Sequence, residues 1–272
     1  VNTFSIAFIG AGNMAGSIIG GLLASGLDPS LLRASCRSES SLSRLRAQGL
    51  EQVSTDNLSV ASGADVIVLA VKPKQLREVC AALAPQLDPG QLVMSVAAGV
   101  EAHSLSSWLR GHKAVVRCMP NTPSQLGAGA SGLFALPGVE AAQRAQAETI
   151  MSAVGIVQWV EDESLLHAVT AVAGSAPAYF FLFLEAMMEE GRRMGLDEEA
   201  VRTLSAQTCV GAGRMVLEGN DDAAQLRRRV CSPGGTTERA VAALMEGGLE
   251  ALVAKAMRDC YARSEEMGRE LS

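Results

Sequence analysis

The chain has 272 residues, 48% of them hydrophobic and 19% charged, which is enough to bury a sizeable core and to divide into two domains. Its formal net charge of -6, with no basic face in the sequence, argues against nucleic acid as a partner. Six cysteines, at positions 36, 80, 118, 209, 231 and 260, show no C-x-x-C spacing and no clustering with the three histidines; neither a disulfide framework nor a zinc site is indicated, and reduced thiols in a cytoplasmic protein are expected.

Residues 4–9 form a short apolar run that ends abruptly in glycine, and a helical pattern begins a few residues later. That order is strand, tight turn, helix. Gly10, Gly12 and Ala15 fit G-x-G-x-x-A, in which glycines let the backbone approach a pyrophosphate and the helix start supplies N–H groups. Taken alone, the motif is also compatible with an ordinary turn. After this turn, residues 15–25 have the small and apolar composition of a helix packed on a sheet, Gly26 closes it, and residues 31–35 make the second strand. Its end reads Ser35-Cys36-Arg37-Ser38, with no carboxylate for a ribose 2′-hydroxyl; Arg37 and its hydroxyl neighbours suit a 2′-phosphate, which favours NADP over NAD. A plain surface arginine is the alternative.

Further strands are expected at 50–53, 66–71, 92–96 and 114–118, with helical stretches between them, so the alternation implies a parallel sheet with right-handed crossovers. Ligands of such sheets lie beyond the carboxyl ends of the strands. Those ends read Gly10-Ala11-Gly12, Arg37-Ser38, Thr55-Asp56-Asn57, Lys72-Pro73, Ala97-Ala98-Gly99 and Met119-Pro120-Asn121-Thr122-Pro123. They are glycines, small residues and polar donors, and their coincidence weighs more than any one of them. Two more strands, at 132–134 and 155–160, complete the domain near Glu161.

From there helical periodicity takes over, with helices expected at 164–194, 197–218, 221–230, 236–246 and 249–270. Residues 164–184 carry no formal charge and are long enough to cross a bilayer. The break at Gly174-Ser175-Ala176-Pro177 and the acidic flanks argue instead for a helix buried on most sides, with no membrane partner. No signal peptide precedes Phe4, so a cytoplasmic location is expected. The apolar stripes are too wide for a monomeric bundle, and covering the 179–184 face calls for a second subunit. Between two helices, Ser232-Pro233-Gly234-Gly235-Thr236-Thr237 offers free N–H groups and hydroxyls at a helix start, either as a carboxylate site or as a simple capped turn.

With these motifs assembled, the sequence resembles the pyrroline-5-carboxylate reductase family over nearly its whole length. FIGAGNMA at 8–15, AVKP at 70–73, AAGV at 97–100, MPNTP at 119–123 and LRRRVCSPGGTT at 226–237 carry the resemblance. It implies an α/β chain: an N-terminal Rossmann-type parallel-sheet domain, residues 1–161, binding NADP(H) with NAD(H) also possible, then an all-α dimerisation and substrate-binding domain, residues 162–272. A dimer or a ring of dimers, with the active site at the dimer interface, is also implied. So are the substrate, Δ1-pyrroline-5-carboxylate, and the product, L-proline. Carried over by position, the diphosphate would lie on Gly10, Ala11, Gly12, Asn13 and Met14, the 2′-phosphate or ribose near Arg37 and Ser38, and adenine near Asn57. The nicotinamide half would lie near Ala70, Val71, Lys72, Pro73 and Ala98. The substrate carboxylate would rest on Gly234, Gly235, Thr236 and Thr237, the Thr237 hydroxyl would reach the ring nitrogen as the catalytic group, and Glu163 would stand near the substrate. The chain departs from the family pattern at His167, where aspartate is common, and at Ala173 and Ala176, where serine and glycine are common. A helix histidine with a structural partner is the expected role of His167.

Reduction of a cyclic imine needs little acid–base machinery, because protonation of the C=N nitrogen makes the carbon electrophilic and orientation supplies most of the rate. A β-hydroxyacid dehydrogenase shares this domain order but uses a lysine on the helix after the nucleotide domain. No lysine occurs between Lys113 and Lys255. A non-catalytic NADP-binding sensor is the remaining alternative, suggested by the altered 172–179 segment.

Overall fold

The computed structural model describes residues 4–271. Short apolar runs flanked by glycine and polar turns become eight strands: β1 (Ile6–Ile9), β2 (Leu32–Ser35), β3 (Gln52–Ser54), β4 (Val66–Leu69), β5 (Leu92–Ser95), β6 (Val115–Met119), β7 (Gly129–Ala135) and β8 (Gly155–Trp159). They make one sheet in the order β3-β2-β1-β4-β5-β6-β7-β8. Every residue of β1, β4 and β5 is buried, as expected for central strands covered by helices on both faces. Alternation along β1 feeds two cores: Ile6 and Phe8 pack with Ile18, Ile19 and Leu22 of α1 (Asn13–Ala24), while Ala7 and Ile9 pack with Leu76 and Cys80 beyond the other face.

The sheet is parallel from β3 to β6, as the alternation of strand and helix implied, and β7 runs antiparallel to β6. The cause is the connection. Residues 120–128 contain one short 3-10 turn, Thr122–Leu126, and a parallel return needs a crossover of a dozen or more residues. A crossover helix, α6 (Ala141–Ser152), does join β7 to β8, and those two strands are parallel. The remaining helices of the sheet region are α2 (Glu39–Ala47), α3 (Asn57–Ala61), α4 (Pro73–Leu83) and α5 (Ala102–Trp108).

Beyond the sheet lie α7 (Leu165–Val169), α8 (Ala176–Arg193), α9 (Glu198–Glu218), α10 (Ala223–Val230), α11 (Thr236–Glu246) and α12 (Leu249–Leu271). The chain forms two compact units: the first runs to Pro177 and includes the chain from Cys260 onward, and the second is Ala178–Asp259. Relative to the expected division after residue 161, the first unit therefore extends past the last strand to take in α7 and the end of α12.

The helix expected over 164–194 is interrupted by a π-helical turn, Thr170–Gly174. Pro177 has no N–H to give the Ala173 carbonyl four residues back, and the Asn121 Nδ2 donates to that carbonyl at 3.1 Å instead. The Asn121 Oδ1 accepts the Ala130 N–H at 2.9 Å, so one buried amide joins the end of β6, the start of β7 and the π turn. The expectation of a helix buried on most sides is also corrected: Phe180, Phe181 and Leu182 are 58%, 63% and 68% exposed. Their burial is left to a partner surface, in line with the need for a second subunit. Among the described residues, Leu165–Arg193 is long and apolar enough to cross a membrane by length and composition.

Replacing Asn121 by alanine removes the side-chain partner of two part-buried backbone groups, so Asn121→Ala should cost about 1–3 kcal/mol. Thermal unfolding followed by circular dichroism should show the midpoint lowered by several degrees; an unchanged midpoint would show that the π turn does not need the amide.

Candidate active site

The strand order reverses direction between β1 and β4, and this is where a doubly wound sheet opens a crevice for ligand at its carboxyl edge. At the β1 end, the Gly10 and Ala11 N–H groups both donate to the Ser35 carbonyl, at 3.1 and 2.8 Å, which turns the chain sharply. Gly10 has φ +85°, and a Cβ there would collide with the Val71 side chain and come within 3.0 Å of the Val71 nitrogen. Only glycine permits this approach. Gly12 then serves as the N-cap of α1 with no side-chain cap, which leaves the N–H groups at the start of the helix to a ligand.

The second strand end completes one side of the crevice. The Ser35 hydroxyl donates to the Asn57 Oδ1 at 2.7 Å, fixing the amide and leaving its Nδ2 for another acceptor. Ser38 caps α2, accepting the Ser41 N–H at 3.3 Å. Arg37 is exposed and, among the described residues, has no ion pair. Lys72 is the N-cap of α4 and Pro73 opens that helix. A cleft of about 690 Å³ gathers Gly10, Ala11, Gly12, Arg37, Ser38, Asn57, Ala70, Val71 and Lys72. Asn13 and Met14, the first residues of α1, follow Gly12 directly but do not line that cleft, nor does Pro73. Ala98 lies elsewhere, in a smaller cavity of about 170 Å³ with Gly99, Thr170, Ser175 and Ser264. The glycine turn, the uncapped helix start and the unpaired arginine fit a phosphorylated dinucleotide, NADP(H): backbone amides for the diphosphate, and Arg37 and Ser38 for a 2′-phosphate. Burial pushes the Cys36 and Cys118 thiols up, so neither offers a thiolate at neutral pH.

Glu163 lies in the first unit, and its carboxylate already has partners. Its Oε1 accepts the Ala102 N–H at 2.7 Å and a hydrogen bond from Arg117 Nη1 at 2.9 Å. Arg117, 2% exposed, was absent from the residues singled out in the sequence, although an arginine inside the apolar run of β6 was a signal that a buried charge needs a partner. Asn121 was legible only as one member of a strand-end loop.

His167 is 7% exposed; its Nδ1 is paired with the Ser264 hydroxyl at 2.9 Å, and the Tyr261 ring meets it edge-on at 5.7 Å. It therefore has the structural partner that was expected. Burial, and then the Arg117 charge, hold its pKa below the ordinary value, against the opposing charges of Glu265, Glu101 and Glu163.

In the second unit, the 232–237 loop closes with the Gly235 N–H on the Ser232 carbonyl at 2.9 Å, and Gly235 becomes the N-cap of α11 without a side-chain cap. Thr236 and Thr237 form the first turn. The Gly234 N–H is taken by the Glu238 Oε2 at 2.7 Å, so an anion already occupies one of the loop donors. Gly234, Gly235, Thr236 and Thr237 are thus contiguous at one helix start, a geometry suited to a carboxylate.

Two family models match the chain. A family model described as pyrroline-5-carboxylate reductase dimerisation matches residues 163–267, and one described as NADP oxidoreductase coenzyme F420-dependent matches residues 5–99. A pyrroline-5-carboxylate reductase from Pseudomonas aeruginosa is 47% identical over 271 residues, covering 100% of this chain and 99% of the relative. A solved structure of a pyrroline-5-carboxylate reductase from Coxiella burnetii has a TM-score of 0.93 at 43% identity, covering 98% of this chain and 99% of that one. The Plasmodium falciparum pyrroline carboxylate reductase, solved with NADP bound, has a TM-score of 0.86 at 26% identity, covering 98% of each chain.

The depressed His167 pKa sets a pH dependence of stability. The unfolded chain protonates this residue near the ordinary value of about 6.5 and the folded chain only at lower pH. Its contribution is therefore fully present above about pH 6.5 and is lost as pH falls through the folded value. The melting temperature of the unaltered protein should fall on acidification below about pH 6.5, and His167→Gln should flatten that part of the curve; the same slope in both proteins would assign the loss to other groups.

Proposed function

The chain belongs to the pyrroline-5-carboxylate reductase family, and from that membership we infer its reaction: NAD(P)H-dependent reduction of Δ1-pyrroline-5-carboxylate to L-proline, the last step of proline synthesis. The chain is an oxidoreductase that binds NADP(H). The observation that carries the reading is the Gly10 turn packed on Val71, followed by the uncapped start of α1, a cradle that a side chain would fill. The bound cofactor supplies the hydride that adds to the C=N carbon.

The chain's own residues hold and orient. The diphosphate lies against the Gly10-Ala11-Gly12 turn, whose own N–H groups are taken within the turn, and accepts from the free N–H groups of Asn13 and Met14 at the start of α1; Arg37 and Ser38 take the 2′-phosphate, Asn57 the adenine side, and Ala70, Val71, Lys72, Pro73 and Ala98 flank the nicotinamide half. The N–H groups of Gly235, Thr236 and Thr237 orient the substrate carboxylate, and Glu238 must release the Gly234 N–H before that donor can join them. The Thr237 hydroxyl hydrogen-bonds the ring nitrogen and keeps its proton in place while the adjacent carbon is reduced. Most of the acceleration comes from fixing two reactants in one desolvated geometry.

The matched dimerisation region and the exposed Phe180, Phe181 and Leu182 support a homo-oligomer. We place the active site at the dimer interface, with a ring of dimers as the larger assembly. Six unpaired cysteines accord with a reducing, cytoplasmic setting.

The purified protein should oxidise NADPH when given Δ1-pyrroline-5-carboxylate, followed by loss of reduced-nicotinamide absorbance. No turnover with either NADPH or NADH would overturn the reading. Arg37→Ala should raise the KM for NADPH by about tenfold or more, the loss of a charge-assisted contact, and leave that for NADH nearly unchanged. Equal effects on both cofactors would remove Arg37 from the 2′-phosphate.

Thr237→Ala should lower kcat/KM by about 1–3 kcal/mol of transition-state stabilisation. Unaltered kcat/KM would remove the hydroxyl from the mechanism.

A further inference from the structure

The loop after β5, residues 97–101, stands beside the switch point on the side of the crevice away from Arg37 and Ser38. A dinucleotide anchored at its adenosine end by the β1, β2 and β4 ends extends toward the β5 and β6 ends, so this loop borders its reactive half. Ala97 and Val100 of the loop are buried in the core of the sheet, and two further contacts reach the loop from chain beyond the last strand. At Gly99, φ is +79° and a Cβ would lie 3.0 Å from the Leu271 Cδ1 and 3.4 Å from the Met267 Cβ, so the loop packs directly on the end of α12.

The second contact is at the start of α5. The N-cap Glu101 makes no side-chain cap there, and the Ala102 N–H is instead donated to the Glu163 Oε1. The same oxygen receives Arg117 Nη1 from β6. One carboxylate therefore joins the buried guanidinium of the sheet to the end of the loop. A buried ion pair is weak support for stability, since an apolar pair of similar volume does as well or better, but its directional bonds fix a geometry.

We propose that Glu163 is a positioning residue for hydride transfer: through Arg117 and the Ala102 N–H it fixes the 97–101 loop that borders the nicotinamide half, and it does not bind the substrate. This rests on the reductase reading above.

Two variants of the full chain test it. Glu163→Gln keeps an acceptor but removes the charge that Arg117 needs; the double variant Glu163→Leu with Arg117→Met removes both charges and restores apolar packing. In the ligand-free proteins, both should exchange the amides of residues 98–102 for deuterium about tenfold faster or more, as expected when a hydrogen-bonded loop is released. With NADPH and Δ1-pyrroline-5-carboxylate, kcat should fall on the order of tenfold to a hundredfold. Affinity for 2′,5′-ADP, which fills only the adenosine end, should stay within about twofold. The double variant should recover the melting temperature without recovering kcat or protection.

A double variant with native kcat would reduce the pair to a stabilising contact and overturn the proposal, as would unchanged exchange at residues 98–102 in Glu163→Gln. A rise in substrate KM with kcat unaltered would instead make Glu163 a substrate contact. Absence of turnover by the unaltered protein would defeat the reductase reading itself, and the exchange measurement tells that failure apart because it needs neither cofactor nor substrate.

Discussion

The organising constraint of the first unit is a missing atom. The β1 turn lies against the end of β4 so closely that a Cβ on Gly10 would occupy the Val71 side chain. That approach is possible because both turn amides donate to the Ser35 carbonyl, which commits this one carbonyl at the end of β2 to holding the turn. The carbonyl's neighbours are thereby aimed outward: the Ser35 hydroxyl reaches Asn57, and Ser38 caps α2 with Arg37 beside it. A recognisable nucleotide cleft thus follows from local hydrogen bonding around one glycine and needs no charged residue in its floor.

The two units differ in what they leave exposed. The sheet buries β1, β4 and β5 completely between helices, so the nucleotide unit needs nothing further to close its core. The helical unit has almost no buried residues of its own; α10 and α11 have none, and large side chains such as Leu217 stand 72% exposed. Apolar area of that kind in water is an incomplete core, and the dimerisation region matched over residues 163–267 identifies what completes it. Folding of this unit and assembly of the oligomer are therefore coupled through the same apolar surface.

How much of this could be read from the sequence follows from the range of each interaction. Strands β1, β4 and β5 and helix α11 were legible because an apolar run, a glycine or a helix cap within a few residues determines them. The reversal at β7 was not, because it depends on the absence of a crossover between two strands that look parallel when taken singly. The π turn was half legible: Gly174 and Pro177 marked a break, but the partner of the freed Ala173 carbonyl is Asn121, which pattern along one helix does not indicate. Glu163 and Arg117 are 46 positions apart and were read separately, one as a site acid and the other merely as part of a strand. The strand-end residues that line the cleft beside Gly10 were legible because they follow one another at strand ends in fixed order. What orients them comes from contacts between distant segments.

If the 232–237 loop receives the substrate carboxylate, as proposed, its selectivity has to come from geometry and not from charge alone. A helix start with free N–H groups attracts any anion, and in this chain the Glu238 carboxylate, four residues on, already takes the Gly234 N–H. An incoming carboxylate at that donor exchanges one anion for another, so the electrostatic gain there is small. Gly235, the N-cap, contributes no side-chain cap, and the acidic residue of the first turn behind it is Glu238 itself, whose carboxylate is turned back onto the Gly234 N–H. On the proposed reading, a substrate carboxylate is distinguished by reaching this first turn while its ring nitrogen meets the Thr237 hydroxyl. A cyclic imino acid has both groups on adjacent positions of a small rigid frame, whereas a free anion offers only the one for which Glu238 already competes.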